Sequence, residues 1–217
     1  VLLAVGVILS CSENEQGHQR AETLGTPLPT PVEAIPFDRE AREACAITDQ
    51  EDPQLDKHFE RTPYLQMVGA HQAAVLWSSR FEGKQRLHWW HPDTKYGPRA
   101  LARPDGERHP YMAQQFSSMA SGLQPKQRYC YEILFEEEVV FRSSFKTAPA
   151  TASSAVKLAA FGDLGKDSRD QHAVRKVLRS LSPDAVLVTG DVAYDAGRLF
   201  EYERYFFSVY PELLSQV

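Results

Sequence analysis

The sequence has few of the features that would assign it a function at once. It has no apolar run long enough to cross a bilayer as a helix: the unbroken stretch Val1 to Leu9 falls far short of the roughly 20 residues required. It has no cluster of lysine and arginine, and its net charge is −5, which excludes the basic surface that nucleic-acid binding needs. Three cysteines, Cys11, Cys45 and Cys130, allow at most one internal pair. Low hydrophobicity and frequent proline over Ser12 to Ile35, with Thr26-Pro-Leu-Pro-Thr-Pro31 at its centre, exclude a packed core there; the segment is expected to be a tether.

Between Val156 and Gly197 the sequence reads strand, acidic loop, helix, strand, acidic loop. Val156 to Phe161 runs into Gly162-Asp163-Leu164-Gly165, and Asp184 to Thr189 runs into Gly190-Asp191-Val192-Ala193-Tyr194. Both apolar runs are nearly continuous, as expected of parallel strands covered on both faces. Val174, Val177, Leu178 and Leu181 make one apolar stripe on the helix between them. Ser168 with Gln171 predicts a capping box at its start, and Ser182-Pro183 its end. The unit is a βαβ crossover, so both Gly-Asp loops lie at the carboxyl edge of one sheet, where open α/β sheets bind ligands.

That placement has a chemical consequence. Asp163 and Asp191 repel each other when close, and a cation removes the cost. The glycine before each aspartate permits a tight turn and close backbone approach. Tyr194, three residues after Asp191, can bring its phenol to the same point. Three hard oxygen donors suit a hard ion such as ferric iron or manganese. The bland alternative is two structural turns.

The pair Gly162-Asp163-Leu164-Gly165 and Gly190-Asp191-Val192-Ala193-Tyr194 resembles the first two motifs of the purple acid phosphatases, within the calcineurin-like metallophosphoesterases. The resemblance implies a dinuclear centre of Fe(III) with Fe(II), Zn(II) or Mn(II). Asp163 and Tyr194 would bind the iron and Asp191 would bridge both metals. The implied reaction is hydrolysis of phosphate monoesters by a metal-bound hydroxide, with a phosphate ester as substrate. Three further family motifs, Gly-Asn-His-Glu or Gly-Asn-His-Asp, an isolated histidine and Gly-His-X-His, are missing. The chain is accordingly read as cut at both ends, with the catalytic residues expected downstream of Val217, and as lacking turnover on its own. A phosphodiesterase or nucleotidase of the same superfamily, or a non-catalytic surface binding module, remain as alternatives.

Upstream, residues 61–150 read as an all-β sandwich, with candidate strands at Tyr64–Val68, Ala74–Ser79, Gln85–His91, Tyr111–Met119, Arg128–Phe135 and Val139–Thr147. Leu123 to Tyr129 has the spacing of a tyrosine corner, and Glu136 to Glu138 reads as a solvated hairpin tip. This region resembles the fibronectin type III-like domain that precedes many purple acid phosphatase domains. Pro63-Tyr64-Leu65-Gln66 and Phe145-Lys146-Thr147-Ala148-Pro149 are similar to its borders. The expected fold is thus a fibronectin type III-like sandwich followed by the start of an α/β metallophosphoesterase domain over residues 151–217.

The remaining signals are local. Ile8-Leu9-Ser10-Cys11 is similar to a bacterial lipoprotein cleavage box, which implies residues 1–11 as a signal, lipidation of Cys11 and an exported, membrane-anchored protein. A plain signal peptide or a buried strand are the alternatives. Residues 12–60 form the linker, with a weak helical pattern from Phe37 to Cys45 and Asp38 as its possible N-cap. If Cys11 is acylated, Cys45 and Cys130 can pair or remain free thiols, the latter being the default. His88 and His91 lie three apart on a strand and face opposite sides, so they cannot share a metal. His172 reads as a solvated helical histidine and Asp195 as loop polarity. Arg198 to Val209 reads as one helix with Leu199, Tyr202, Phe206 and Val209 as its core stripe, interrupted by Pro211.

Overall fold

The computed structural model describes residues 8–9, 39–47, 58–94, 96–105, 113–151 and 155–217. The tether Ser12 to Ile35, Cys11 and Asp38 lie outside the described residues. The strands are β1 (Ile8–Leu9), β2 (Arg61–Gln66), β3 (Gln72–Ser79), β4 (Gln85–Trp90), β5 (Arg99–Leu101), β6 (Arg103–Asp105), β7 (Gln114–Ser121), β8 (Arg128–Phe135), β9 (Glu138–Lys146), β10 (Leu158–Phe161) and β11 (Ala185–Val188). The helices are α1 (Arg39–Cys45), α2 (Arg169–Leu181), α3 (Leu199–Tyr202) and α4 (Pro211–Leu214), with a π-helical segment, Glu203–Phe207, running on from α3.

Alternation of apolar and polar residues builds the sandwich. Its two antiparallel sheets run β2-β3-β7-β6 and β5-β4-β8-β9. Val75 and Trp77 from one sheet meet Leu87, Tyr131 and Ile133 from the other, all fully buried. Burying each such side chain stabilises by about 1.5–3 kcal/mol. The Trp77 indole N–H donates to Gln85 Oε1 at 2.6 Å, so its polar atom costs little. The Tyr129 hydroxyl accepts the Gln124 backbone N–H at 2.9 Å, the expected tyrosine corner.

Two strands are not expected from the sequence. β5 and β6 are three residues each and each begins with an arginine, β6 also carrying Pro104, and each closes the edge of its sheet. Short, charged, proline-bearing strands suit an edge, because they discourage pairing with another chain. They carry little apolar periodicity for the same reason. The β8–β9 turn is the exposed hairpin tip expected from the sequence, and its glutamates also bind neighbouring parts of the chain. Glu136 accepts the Lys84 backbone N–H at 2.6 Å, and Glu137 pairs with Arg86 and Arg99. Both turn glutamates have positive φ, 46° and 72°, the type I′ geometry that matches strand twist.

Cys45 at the end of α1 and Cys130 in β8 form a disulfide, with Cα atoms 5.4 Å apart. The default of two free thiols does not hold. Cys130 points away from the sandwich core, where Ile47 and Trp90 cover it together with Cys45. Next to it, His88 Nδ1 hydrogen-bonds Glu132 at 2.8 Å, and Glu132 accepts Arg142 Nη2 at 2.8 Å. His91 instead takes the Asp93 N–H, so the two histidines stay apart.

In the second unit β10 and β11 are parallel, with Leu158 opposite Ala185 and Phe161 opposite Val188. Ala159, Phe161 and Leu164 pack with Val174 and Leu178 of α2, and with Phe206, Val209, Tyr210 and Leu213. Val217 packs against the same cluster, and its N–H donates to Leu213 O at 3.1 Å. Leu158 and Leu187 on the other face are exposed, so the expectation of strands covered on both sides is not met among the described residues. Ile8–Leu9 forms β1, parallel to β10, with Ile8 opposite Ala160. From sequence a strand is the less favoured reading of that segment, on the ground that no partner segment follows; the partner, β10, lies far along the chain.

Candidate functional site

Each loop that carries a site residue starts at the carboxyl end of a parallel strand. β10 hands the chain to Gly162-Asp163 and β11 to Gly190-Asp191. Asp163 and Asp191 both take left-handed backbone, with φ of 57° and 51°, a conformation that aspartate tolerates better than most residues. The glycines serve two different purposes. Gly190 has φ of +133° and is needed for its conformation. Gly162 is needed for space: a Cβ there would lie 2.3 Å from Thr189 Oγ1.

The two loops are braced to one another through backbone. Asp163 N–H donates to Gly190 O at 3.3 Å, Leu164 N–H to Asp191 O at 2.8 Å and Tyr194 N–H to Gly165 O at 3.1 Å. The last contact requires Gly165, since a Cβ there would come within 2.9 Å of Ala193 Cα and φ is +116°. Sequence reasoning assigns Gly165 no role of its own.

This bracing brings Tyr194 onto Asp163. Its hydroxyl donates to Asp163 Oδ1 at 2.5 Å. That hydrogen bond, partial burial, and a further hydrogen bond to Asp191 all push the phenol above its ordinary pKa. Asp163, Asp191 and Tyr194 therefore converge from two loops. Two carboxylates share one proton donor there, and the arrangement is electron-rich. Lys166 is the near cation, with Nζ 6.0 Å from the Tyr194 ring centroid.

The donor set fits a hard cation. It offers oxygen only, carries two negative charges, and can gain a third when the phenol proton leaves. Among the described residues no three His, Cys, Asp or Glu side chains converge on a point. The group is two carboxylates and a phenol, a partial shell of oxygen donors.

The other expected residues lie outside this group or have different tasks. His172 Nε2 pairs with Asp167 Oδ1 at 2.7 Å. Asp195 contributes its backbone N–H to Glu201. Val217, beyond which the catalytic residues are expected, is a packing residue of the α/β core and adds nothing to the oxygen cluster. The Gln171 half of the capping box is not formed. Ser168 Oγ does accept the Gln171 N–H, but Gln171 Oε1 turns to the Asp167 N–H and its amide donates to Tyr205 O at 2.5 Å. Glu201 is absent from the sequence reading altogether. It is buried, and its carboxylate accepts backbone N–H groups from Arg198, Ala196 and Asp195, which hold its pKa below the usual glutamate range. An acidic residue three positions past a chain turn is the only available signal.

No family model and no curated protein matches the sequence. Among solved structures, the fold is similar to purple acid phosphatase PPD1 from yellow lupin (Lupinus luteus) seeds. The TM-score is 0.56 at 21% identity, covering 72% of this chain and 34% of that one. PhoD matches with a TM-score of 0.39 at 14% identity, over 68% of this chain and 43% of that one. The third fibronectin III domain of human KIAA0343 protein matches with a TM-score of 0.27 at 16% identity, over 43% of this chain and 84% of that one. The chain thus spans about a third of the lupin phosphatase, and shares its fold over that part.

Proposed function

We propose that this chain carries the first part of a two-metal phosphoesterase site, acting on phosphate monoesters. One observation carries the reading: Tyr194 and Asp163, from separate loops, meet at 2.5 Å with Asp191 beside them. Asp163 and Tyr194 would hold one ion, ferric iron by donor type, and Asp191 would bridge to a second, Fe(II), Zn(II) or Mn(II). Such a pair supplies Lewis acidity toward a phosphoryl oxygen and an activated water. The chain's own part is to fix the oxygens before the ion arrives. The αL backbone of both aspartates, and the brace from Tyr194 N–H to Gly165 O, do this without any movement of the strands. In the metal-free chain the Tyr194 phenol keeps its proton and donates it in a hydrogen bond to Asp163; as a ligand, Tyr194 would have to release that proton.

The test is a titration of the full chain with Fe(III). Binding should produce a visible absorption band from tyrosinate, and Tyr194→Phe should abolish it. Persistence of the band in that variant removes Tyr194 from the site. The same loaded chain should show no steady hydrolysis of p-nitrophenyl phosphate, because the converging group is only part of a dinuclear shell. A sustained metal-dependent rate would contradict that incompleteness.

Export and anchoring belong to the same proposal. The Cys45–Cys130 disulfide supports an oxidising compartment. Processing before Cys11 would remove Ile8–Leu9, so β1 pairing would belong to the unprocessed chain. In a bacterial host the protein should partition with membranes, and Cys11→Ser should release it to the soluble fraction. Unchanged partitioning would exclude the lipid anchor.

A further inference from the structure

The loop that delivers Tyr194 has little packing of its own. Side chains from Asp195 to Phe200 are all exposed. At one end, Tyr194 N–H is held by Gly165 O. At the other, the chain closes on a single buried group, the carboxylate of Glu201, which is 4% exposed. Its Oε1 accepts the Asp195 N–H at 3.2 Å, and its Oε2 accepts those of Ala196 at 3.3 Å and Arg198 at 2.6 Å. Three backbone donors on one carboxylate form a charge-assisted clamp, stronger than neutral hydrogen bonds. Arg198 is the N-cap of α3 and Glu201 its third residue, so one contact is half of a capping box. The other two reach past the helix into the site loop, which a helix cap does not require.

The segment that follows Glu201 is held from behind. Two residues on, Glu203 pairs with Arg61 of β2, and Arg61 lies over the Phe207 ring at 3.9 Å from its centroid. The clamp is therefore anchored to the sandwich and not to the exposed side of its own loop.

We propose that Glu201 is a positioning residue for Tyr194. By gathering the three N–H groups, it fixes the path of the chain just after the tyrosine, and so the reach of the phenol to the oxygens of Asp163 and Asp191. The inference rests on the metal-site reading of those three residues, and adds to it a residue that touches neither metal nor substrate. A site held this way is already shaped before an ion binds, so loss of the clamp loosens the shell without removing a ligand.

The test compares the full chain with Glu201→Gln and Glu201→Ala, using Fe(III) affinity and the tyrosinate absorption band. Melting of the metal-free proteins is followed alongside. Glutamine keeps one acceptor oxygen but faces the remaining N–H groups with an amide. Fe(III) affinity should fall about tenfold in Glu201→Gln and further in Glu201→Ala, the order expected from losing charged hydrogen bonds. The band should weaken or shift in the same order. A helix cap alone would lower the melting temperature and leave the band in place, and that result overturns the proposal. Should Glu201→Ala fail to fold, Glu201→Gln decides: wild-type affinity with an unshifted band sinks the inference. Absence of any Fe(III) band in the wild-type chain is a different failure. It removes the metal-site reading, and this inference with it.

Discussion

At the scale of single residues, the site divides into what chemistry announces and what only space explains. The meeting of Asp163 and Tyr194, with Asp191 on the second loop, can be read from the chain because each loop follows directly from a parallel strand. Gly165 cannot be assigned a role that way, because its importance lies in a neighbour 28 positions on: the Cα of Ala193, 2.9 Å from where a Cβ would sit. Gly165 is itself buried, so Gly165→Ala should be costly. A residue with a side chain at φ of +116° is strained by about 1–3 kcal/mol. For a chain of this length that lowers the melting temperature by roughly 3–10 °C. Thermal melts of the metal-free chain measure it, and an unchanged melting temperature would mean the two loops are not braced as described.

Elements depart from sequence periodicity where a tertiary partner outweighs it. The helix after Tyr194 is expected to bury Leu199, Tyr202, Phe206 and Val209 as one stripe. Only Phe206 and Val209 of these are buried, and Leu199 is exposed. The reason is the switch to π-helix at Glu203, where Ser208 N–H reaches back five residues to Glu203 O. A π-turn shifts the phase of every later side chain, and such turns recur at functional sites. Here it lets Glu203 and Phe207 meet Arg61 while Phe206 faces the α/β core. In α2 the expected Val177 is exposed, and buried Gln171 sits on the stripe, tied to Asp167 and Tyr205. The βαβ order, the tyrosine corner and six sandwich strands are readable because each is set by near neighbours. The edge strands β5 and β6 are not, since they are defined by what they lie beside. A pH dependence belongs to the segment that opens α3. Backbone donors hold the Glu201 pKa below its ordinary value of 4.5, with Arg198 N–H the largest contributor. A folded-state pKa below the unfolded one means the carboxylate stabilises the fold fully above about pH 4.5, and loses that contribution as pH falls through the folded value. Glu201→Gln should melt below wild type at pH 7, and the gap should close toward pH 3. Parallel melting curves across that range would show that the charge of Glu201 contributes nothing.

For the whole molecule, the question is why an α/β unit of three short strands, with Leu158 and Leu187 exposed, holds together. Three short parallel strands and one crossover helix bury little by themselves. The structure joins them to the sandwich through a contiguous interface. Arg61 binds Glu203 and Gln115, Tyr64 packs on Phe207, and the buried Tyr131 hydroxyl donates to Ser215 O at 2.8 Å. Burial keeps that phenol neutral by raising its pKa, so the bond persists at any ordinary pH. The sandwich is thus more than a spacer, because it supplies the surface on which residues 203–215 fold. Arg61 and Glu203 retain 11% and 16% side-chain exposure. Arg61→Ala leaves Glu203 without its cation in this poorly solvated interface. The cost should be about 2–3 kcal/mol, below the 3–5 of a fully buried pair. The loss should fall unevenly. Amide exchange should accelerate across β10, α2 and β11, and change little in β3 and β8, whose core does not involve Arg61. Equal acceleration in both regions would mean that the protein unfolds as one unit, and no acceleration would mean that the α/β unit is stable without its neighbour.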